Sequence, residues 1–205
     1  VVVAYTDDGN SGYGTAVVGT VSGTSITFGT PVVFESATAE QIGATFDSAN
    51  GKVVFSYSDG GNSDYGTAVV GTVSGTSISF GTPVVFNSGS SRSNKATYDS
   101  GQAAVVVVWK QDSDSSGRAI AGTVSGTSIS FGSSATFQGT RIDNPVLTYD
   151  STNNKAVVFY ADDSNDNRLT AYVITVSGTS VSFGTKASMV FKVDYSFMSA
   201  SATFD

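Results

Sequence analysis

The chain has 205 residues, enough for one domain or two small ones, and contains neither cysteine nor histidine. Disulfides, thiolate zinc sites and catalysis by a thiol or an imidazole are therefore excluded. The net charge is −7, and the ten Lys and Arg residues form no cluster along the sequence, which argues against nucleic acid as a partner.

The five-residue sequence Val-Ser-Gly-Thr-Ser, which we call the repeated phrase, occurs four times in the chain. The phrase begins at Val21, Val73, Val124 and Val176, at intervals of 52, 51 and 52 residues. A fixed period of this length is the signature of a repeat architecture. An aromatic–Asp pair recurs with the same period, although its last interval is longer. The pair occurs at Phe46-Asp47, Tyr98-Asp99, Tyr149-Asp150 and Phe204-Asp205.

Each repeat predicts four short strands. The first ends at the aromatic–Asp pair, as in 145–150, and the second is a nearly continuous apolar run, as in 53–57. The third is small and apolar, as in 66–73, and its Ser-Gly end is a hairpin signal. The fourth alternates over 77–80 and continues past a proline to 84–86.

Sixteen short strands in units of about 51 residues predict an all-β fold, a four-bladed β-propeller formed by one domain, 1–205. The chain begins on a second strand and ends on a first strand, 202–205, which we expect to complete the N-terminal blade and close the ring. The units are approximately 1–47 with 202–205, 48–99, 100–150 and 151–201. Two alternatives remain open: part of a larger propeller completed by other residues or a second chain, and another all-β fold such as a stacked solenoid.

The stretches VVFSYSD (53–59) and GTVSGTSISFGTPVVF (71–86) resemble propeller-like repeats of bacterial extracellular proteins. They also resemble repeats in predicted virion or tail-associated proteins of marine phages. The resemblance extends over the whole chain, and it is a similarity in the pattern of the repeats. It implies surface attachment or virion structure more readily than catalysis, and it brings no catalytic residues with it.

One end of the predicted propeller varies between units. The second-to-third loops share that end with four blade-to-blade connectors, 35–41, 87–94, 138–144 and 192–199, which differ in sequence. Variation on a constant scaffold predicts recognition, although loops also vary where nothing constrains them. The candidate ligand-binding residues are Arg92, Arg141, Asp143, Tyr195 and Phe197. An alternative for Phe197 is that it fills the core or the closing seam.

The second-to-third loops are also candidates for a calcium site. Asp112 and Asp114 stand at alternate positions, as do Asp163 and Asn165, and alternating oxygen ligands on a tight loop can hold Ca²⁺. No bidentate Glu follows at the twelfth position, and Asp and Asn also make ordinary turns. No other cofactor is expected.

The aromatic–Asp pairs invite a catalytic interpretation, because inner carboxylates act in pairs in glycosidases. A catalytic pair needs two unlike environments, whereas these four aspartates occupy the same place in each blade. We expect them to accept backbone N–H bonds in the following turn, and we expect Trp109 to lie in the core.

The sequence therefore predicts a non-enzymatic module of a phage virion or cell surface, in a tail, fibre or capsid appendage. Its expected partners are a host-surface glycan or other virion or surface proteins, in an oligomer or a larger assembly, with no membrane span and no nucleic acid. The location is extracellular or in the virion. No signal peptide is visible, and a start at Val1 fits a processed chain or a piece of a longer one. The alternatives are a secreted lectin-like carbohydrate-binding propeller and, less favoured, a glycan-cleaving enzyme.

Overall fold

Each repeat folds as an antiparallel sheet whose strands lie side by side in chain order. A computed structural model describes residues 1–192 and 202–203. Within them the strands are β1 (Val2–Asp7), β2 (Tyr13–Ser22), β3 (Ser25–Phe28), β4 (Val32–Asp47), β5 (Lys52–Asp59), β6 (Tyr65–Ser74), β7 (Ser77–Phe80), β8 (Val84–Asp99), β9 (Ala104–Gln111), β10 (Gly117–Ser125), β11 (Ser128–Phe131), β12 (Ala135–Gln138), β13 (Ile142–Asp150), β14 (Lys155–Asp162), β15 (Arg168–Ser177), β16 (Ser180–Phe183) and β17 (Ala187–Lys192). Short 3₁₀ turns lie at Asp8–Asn10, Gly60–Asn62 and Asp163–Asn165. The predicted all-β class is confirmed.

The second unit shows the arrangement. Its inner strand is the second half of β4, followed outward by β5 and β6. The outer position is shared by β7 and the first half of β8, which pair with successive parts of β6. The fourth strand was predicted to continue past Gly81 and Pro83, but the structure interrupts it there, between these two pieces.

The connectors between units are strands rather than loops, so that prediction was wrong. Residues 35–41 lie inside β4 and 87–94 lie inside β8, while only residues 139–141 interrupt the third connector. The first half of β4 pairs with β2 and the second half with β5. Ser, Gly and Asn favour turns, but backbone pairing on both sides keeps this segment extended. Of the fourth connector, only Lys192 lies among the described residues.

The repeated phrase is the tight turn between the third and outer strands, as predicted. In the first unit Ser22 pairs with Ser25, and Gly23 between them has φ of 60°. A positive φ at the first central residue is what a type II′ hairpin turn requires, and glycine adopts it without steric cost. The other three turns repeat the same pairing and the same glycine conformation.

Consecutive units pack face to face, with one apolar core between each pair. The continuous Val runs supply both faces of a unit: Val107 and Trp109 face the second unit, while Val106 and Val108 face the fourth. Burial of both faces explains why β9 is apolar without alternation. Trp109 is fully buried, which confirms the prediction that it is core.

A second contact between units lies at the outer edge and involves the repeated phrase. In the first three units a glycine follows the phenylalanine that ends the short outer strand. These glycines are Gly29, Gly81 and Gly132. A Cβ at any of them would collide with the backbone carbonyl of the phrase threonine in the next unit, which is Thr76, Thr127 and Thr179 respectively. The phrase therefore serves both as a hairpin turn and as a spacer between units.

The array does not close within the described residues. Gly184 corresponds to Gly132, yet the nearest atoms to a Cβ there belong to Val173, at 3.7 Å. Phe46 is 57% exposed, whereas Tyr98 at the same position of the next unit is 8% exposed. β1 has no described partner on its inner edge, and residues 202–203 lie outside any strand.

An apolar groove of about 460 Å³ lies beside β1, where the described residues supply no inner strand for the first unit. Its walls include Val1, Ala44, Phe46, Phe55 and Val73. The exposed side of Phe46 thus faces a space that an inner strand fills in the other units.

Candidate functional site

The inner strands of the second, third and fourth units share one β-bulge. The register slips between Glu40 and Gly43, between Arg92 and Lys95, and between Asp143 and Val146. The residue after the first of each pair has a positive φ: 55° at Gln41, 56° at Ser93 and 47° at Asn144. Bulges of this kind re-aim a side chain. One backbone position at the loop end of each unit therefore carries Glu40, Arg92 or Asp143.

Arg92 forms a bidentate ion pair with Asp112, which lies in the turn after β9. Arg92 Nε donates to Asp112 Oδ1 at 2.7 Å and Nη2 donates to Oδ2 at 3.2 Å. Both side chains are about half exposed. The hydrogen bond from Arg92 lowers the pKa of Asp112 below its ordinary value. The predicted ligand residue and the predicted metal ligand are thus partners of each other.

Asp143 joins the third unit to the fourth. Its Oδ1 accepts from Lys110 Nζ at 2.7 Å and its Oδ2 accepts from Arg141 Nε at 2.9 Å. Arg92 and Lys110 stand opposite each other in the register of β8 and β9, so their side chains lie on one face of the sheet. Asp112, Arg92, Lys110, Asp143 and Arg141 form one group, which we call the charged row.

The charged row contains three cations and two carboxylates, in a chain with a net charge of −7. The structure brings the predicted residues Arg92, Arg141 and Asp143 into this one group. Tyr195 and Phe197 lie outside the described residues, and their part in binding stays a prediction.

Lys110 is the member of the row that sequence reasoning missed. The corresponding residues of the neighbouring units are Ser58 and Ala161. A lysine immediately after the buried Trp109 therefore departs from the repeat, and such a departure is the signal that would have found it.

The predicted calcium ligands are engaged by protein groups. Asp114 accepts from Ser116 N at 2.9 Å and from Arg118 Nη2 at 3.1 Å. Asn165 Nδ2 donates to Ser188 Oγ at 3.1 Å, and Asp163 lies in the same 3₁₀ turn. No group of three or more acidic residues suited to a metal ion occurs in the described part of the chain. A calcium ion at Asp112 and Asp114 would have to displace arginines, and calcium binding stays a prediction.

A separate pair of carboxylates flanks a buried tyrosine between the first two units. Tyr57 Oη donates to Glu35 Oε2 at 3.0 Å, and Asp59 Oδ1 accepts from Gly61 N at 3.0 Å. Burial, and then the charge of Asp59, raises the pKa of Glu35, and burial raises the pKa of Asp59. Because Tyr57 is fully buried, we interpret the two carboxylates beside it as part of the packing of the first connector, not as a binding site.

The aspartates of the aromatic–Asp pairs close the turns that follow them, as predicted. Asp47 Oδ1 accepts from the backbone N–H groups of Ala49 and Asn50, both at 3.0 Å. Asp99 and Asp150 each accept from two backbone N–H groups in the same way. Asp205 lies outside the described residues.

No protein-family model matches the chain, and no curated protein matches it. Over residues 1–192 and 202–203, no helix is long and apolar enough to cross a membrane.

Proposed function

We propose that the protein is a non-enzymatic attachment module of a phage virion or cell surface, binding a host-surface glycan or a neighbouring protein through the charged row. One observation carries the proposal. The same bulge presents Glu40, Arg92 or Asp143 at the same end of three successive units. A constant backbone with different charges at one position is a typical recognition surface.

The geometry of the charged row suits recognition of polar or acidic groups. Arg92 and Arg141 are about half exposed, and each is oriented by an aspartate. A guanidinium presents a planar fork of donors that matches carboxylates and paired hydroxyls. Because these side chains are already ordered, binding costs less conformational entropy. An extracellular or virion setting, and membership of a larger assembly, belong to the same proposal.

The scaffold we propose for this module is a closed four-bladed propeller, in which residues 202–205 supply the inner strand of the first unit. Residues 201–205, Ser-Ala-Thr-Phe-Asp, differ from 43–47 of the second unit only at the first position. The inner edge of β1, which has no partner among residues 1–192 and 202–203, and the groove beside Phe46 support this placement. A larger propeller, completed by other residues, is the alternative.

A glycan array tests the attachment role. The 205-residue chain is applied to a broad glycan panel, with calcium and with chelator, together with the variants Arg92→Ser and Lys155→Ser. Lys155 lies at the opposite end of its unit, beside the first-to-second turn, and is the matched control. We expect binding to a subset of glycans that Arg92→Ser loses and Lys155→Ser keeps.

The other outcomes are equally informative. Loss of binding with chelator would show that calcium is required and would favour the Asp112 and Asp114 loop as its site. Absence of binding by a folded chain would contradict glycan attachment and favour docking to proteins. Cleavage of a labelled polysaccharide would contradict the non-enzymatic role.

A further inference from the structure

A tyrosine of the second unit lies beside one end of the charged row. Tyr65 is the first residue of β6 and pairs with Ser90 of β8, so the two side chains lie on one face of the sheet. Ser90 Oγ donates to Asp112 Oδ2 at 3.3 Å, and the backbone N–H of Asp112 donates to Ser90 O at 3.1 Å. Tyr65 and Ser90 therefore adjoin the ion pair of Arg92 with Asp112, at the interface between the second and third units.

The ring of Tyr65 is partly exposed and is not used elsewhere in the packing of aromatic residues. It contacts no other aromatic ring and makes no side-chain hydrogen bond with any residue that the structure describes. A tyrosine in this position offers a flat apolar surface at the edge of a polar site. The C–H groups on one face of a pyranose ring form a matching flat apolar surface, whereas the rim of the sugar carries its hydroxyls.

Arg92 and Asp112 present donors and acceptors side by side. Their bidentate pair uses two of the five guanidinium N–H groups, which leaves three without a partner among the described residues. The carboxylate oxygens of Asp112 keep further lone pairs. Two neighbouring hydroxyls of a sugar can accept from the guanidinium and donate to the carboxylate at the same time. A carboxylate or sulfate ligand has no donor, so it would leave the acceptors of Asp112 unsatisfied and repel them.

The charges around Arg92 also argue against an acidic ligand. Asp112 already neutralises the guanidinium, at 2.7 Å and 3.2 Å. The pKa of Arg92 is raised by the hydrogen bond and charge of Asp112, and further by the charges of Asp64 and Glu40. One guanidinium therefore stands within electrostatic range of three carboxylates. A polyanion approaching this interface meets a surface of its own sign, whereas a neutral sugar does not.

The other two described interfaces lack this combination of groups. At the interface between the first and second units, Tyr13 occupies the position of Tyr65, but Glu40 stands in place of Arg92. At the interface between the third and fourth units, Ser116 stands where the tyrosine would be. The repeat thus supplies a matched control, because Tyr13 shares the backbone position of Tyr65 and has no ion pair beside it.

We propose that the interface between the second and third units binds a neutral sugar of a glycan, with two adjacent hydroxyls held by Arg92 and Asp112 and the sugar ring packed on Tyr65. The proposal rests on the proposed attachment role, because it uses the same end of the charged row. It deepens that role by naming the ligand class as neutral and by adding Tyr65 to the site. The ion pair orders both polar side chains before the ligand arrives, which lowers the entropic cost of binding.

Binding to immobilised polysaccharides tests the site. The 205-residue chain is applied to a mannan, a galactan and a glucan as neutral probes and to polygalacturonate as the acidic probe, in about 0.05 M and about 0.5 M NaCl. We expect binding to at least one neutral probe, changing less than about twofold with salt, and none to polygalacturonate. Tyr65→Ala should weaken binding about tenfold or more, whereas Tyr65→Phe and Tyr13→Ala should bind as the parent does.

Removing the carboxylate should change the class of ligand. Asp112→Ala takes away the acceptors for the sugar hydroxyls and leaves the guanidinium of Arg92 without its partner. We expect binding to the neutral probe to weaken about tenfold or more. We also expect weak binding to polygalacturonate to appear, and to be lost in high salt. Thermal midpoints of all variants are measured in parallel, so that a loss of binding is scored only in a folded chain.

The outcomes separate this inference from the attachment role. Neutral binding that Arg92→Ser and Tyr65→Ala both lose, and Tyr13→Ala keeps, supports the site. Neutral binding that Arg92→Ser loses but Tyr65→Ala keeps overturns the site and leaves the attachment role intact. Binding of the parent to polygalacturonate, lost in Arg92→Ser and in high salt, likewise overturns the neutral ligand alone. Binding that Arg92→Ser does not change, or no binding to any probe, contradicts both this inference and glycan attachment through the charged row.

Discussion

The ring of Phe86 meets the indole of Trp109 edge to face, with ring centroids 5.1 Å apart. Phe86 lies in the outer strand of the second unit and Trp109 in the second strand of the third. Phe34 meets Tyr57 in the same edge-to-face way, and the rings of Phe137 and Tyr160 are tilted at 52°, with centroids 5.3 Å apart in both pairs. Each of these three interfaces therefore contains an aromatic pair of this kind, whose two members come from different repeats.

Replacing the indole tests how much the pair of Phe86 and Trp109 contributes to stability. We expect Trp109→Ala to lower the free energy of unfolding by about 3–5 kcal/mol, because the cavity would open in a core that cannot collapse around it. Urea denaturation measures the loss. Val85→Thr, at a half-exposed outer-strand position where the third unit has Thr136, is the control and should change stability by less than about 0.5 kcal/mol. A cost below about 1 kcal/mol for Trp109→Ala would contradict the packing.

Two glycines report on ring closure. Gly132→Ala should cost about 1–3 kcal/mol, because its Cβ would meet the carbonyl of Thr179. In a closed ring Gly184 meets Thr24 in the same way, so we expect Gly184→Ala to cost a similar amount. Gly139→Ala is the control, since a Cβ there meets no atom within 4 Å. A neutral Gly184→Ala beside a costly Gly132→Ala would rule out closure on the first unit.

The turn aspartates should contribute to stability in proportion to their burial. Asp47 is fully buried and its Oδ1 accepts two backbone N–H bonds, so Asp47→Ala leaves two donors without their acceptor. We expect a loss of about 1–3 kcal/mol in urea denaturation. Asp150→Ala removes the same bonds from an exposed turn, where water replaces them, and should cost less. Equal losses in the two variants would contradict the role assigned to burial.

The carboxylate of Glu35 should make stability depend on pH. Burial raises its pKa in the folded chain, so the folded state holds its proton to a higher pH than the unfolded state does. Stability from this group is therefore lost as the pH rises from the ordinary value of 4.5 through the raised pKa. Glu35→Gln keeps an acceptor for Tyr57 Oη and should be favoured increasingly over the parent across that window. Denaturation at several pH values measures the difference, and a difference that does not change with pH would contradict the assignment.

The sequence was sufficient for the strands inside each unit, but not for the strands that link units or for the charged row. Gly23 and its equivalents fix the hairpins locally, and the uninterrupted Val run around Val107 identifies a strand buried on both faces. The partners Arg92 and Asp112 are 20 residues apart, and Lys110 and Asp143 are 33 residues apart. Only the strand register and the stacking of units bring them together. Composition predicts a loop at residues 35–41, because it does not record that the two halves of β4 pair with different strands.

The strands shared between units have a consequence for how such a protein gains or loses repeats. β8 is hydrogen-bonded to β6 in its first half and to β9 in its second. The two units therefore share one continuous strand, with no loop between them. A one-residue deletion within it would reverse the faces of the rest of that strand. Recombination that cuts at the aromatic–Asp pair or within the repeated phrase leaves every strand whole. A gene encoding this architecture can thus change its number of repeats through its turns without altering the register of the strands that link one unit to the next.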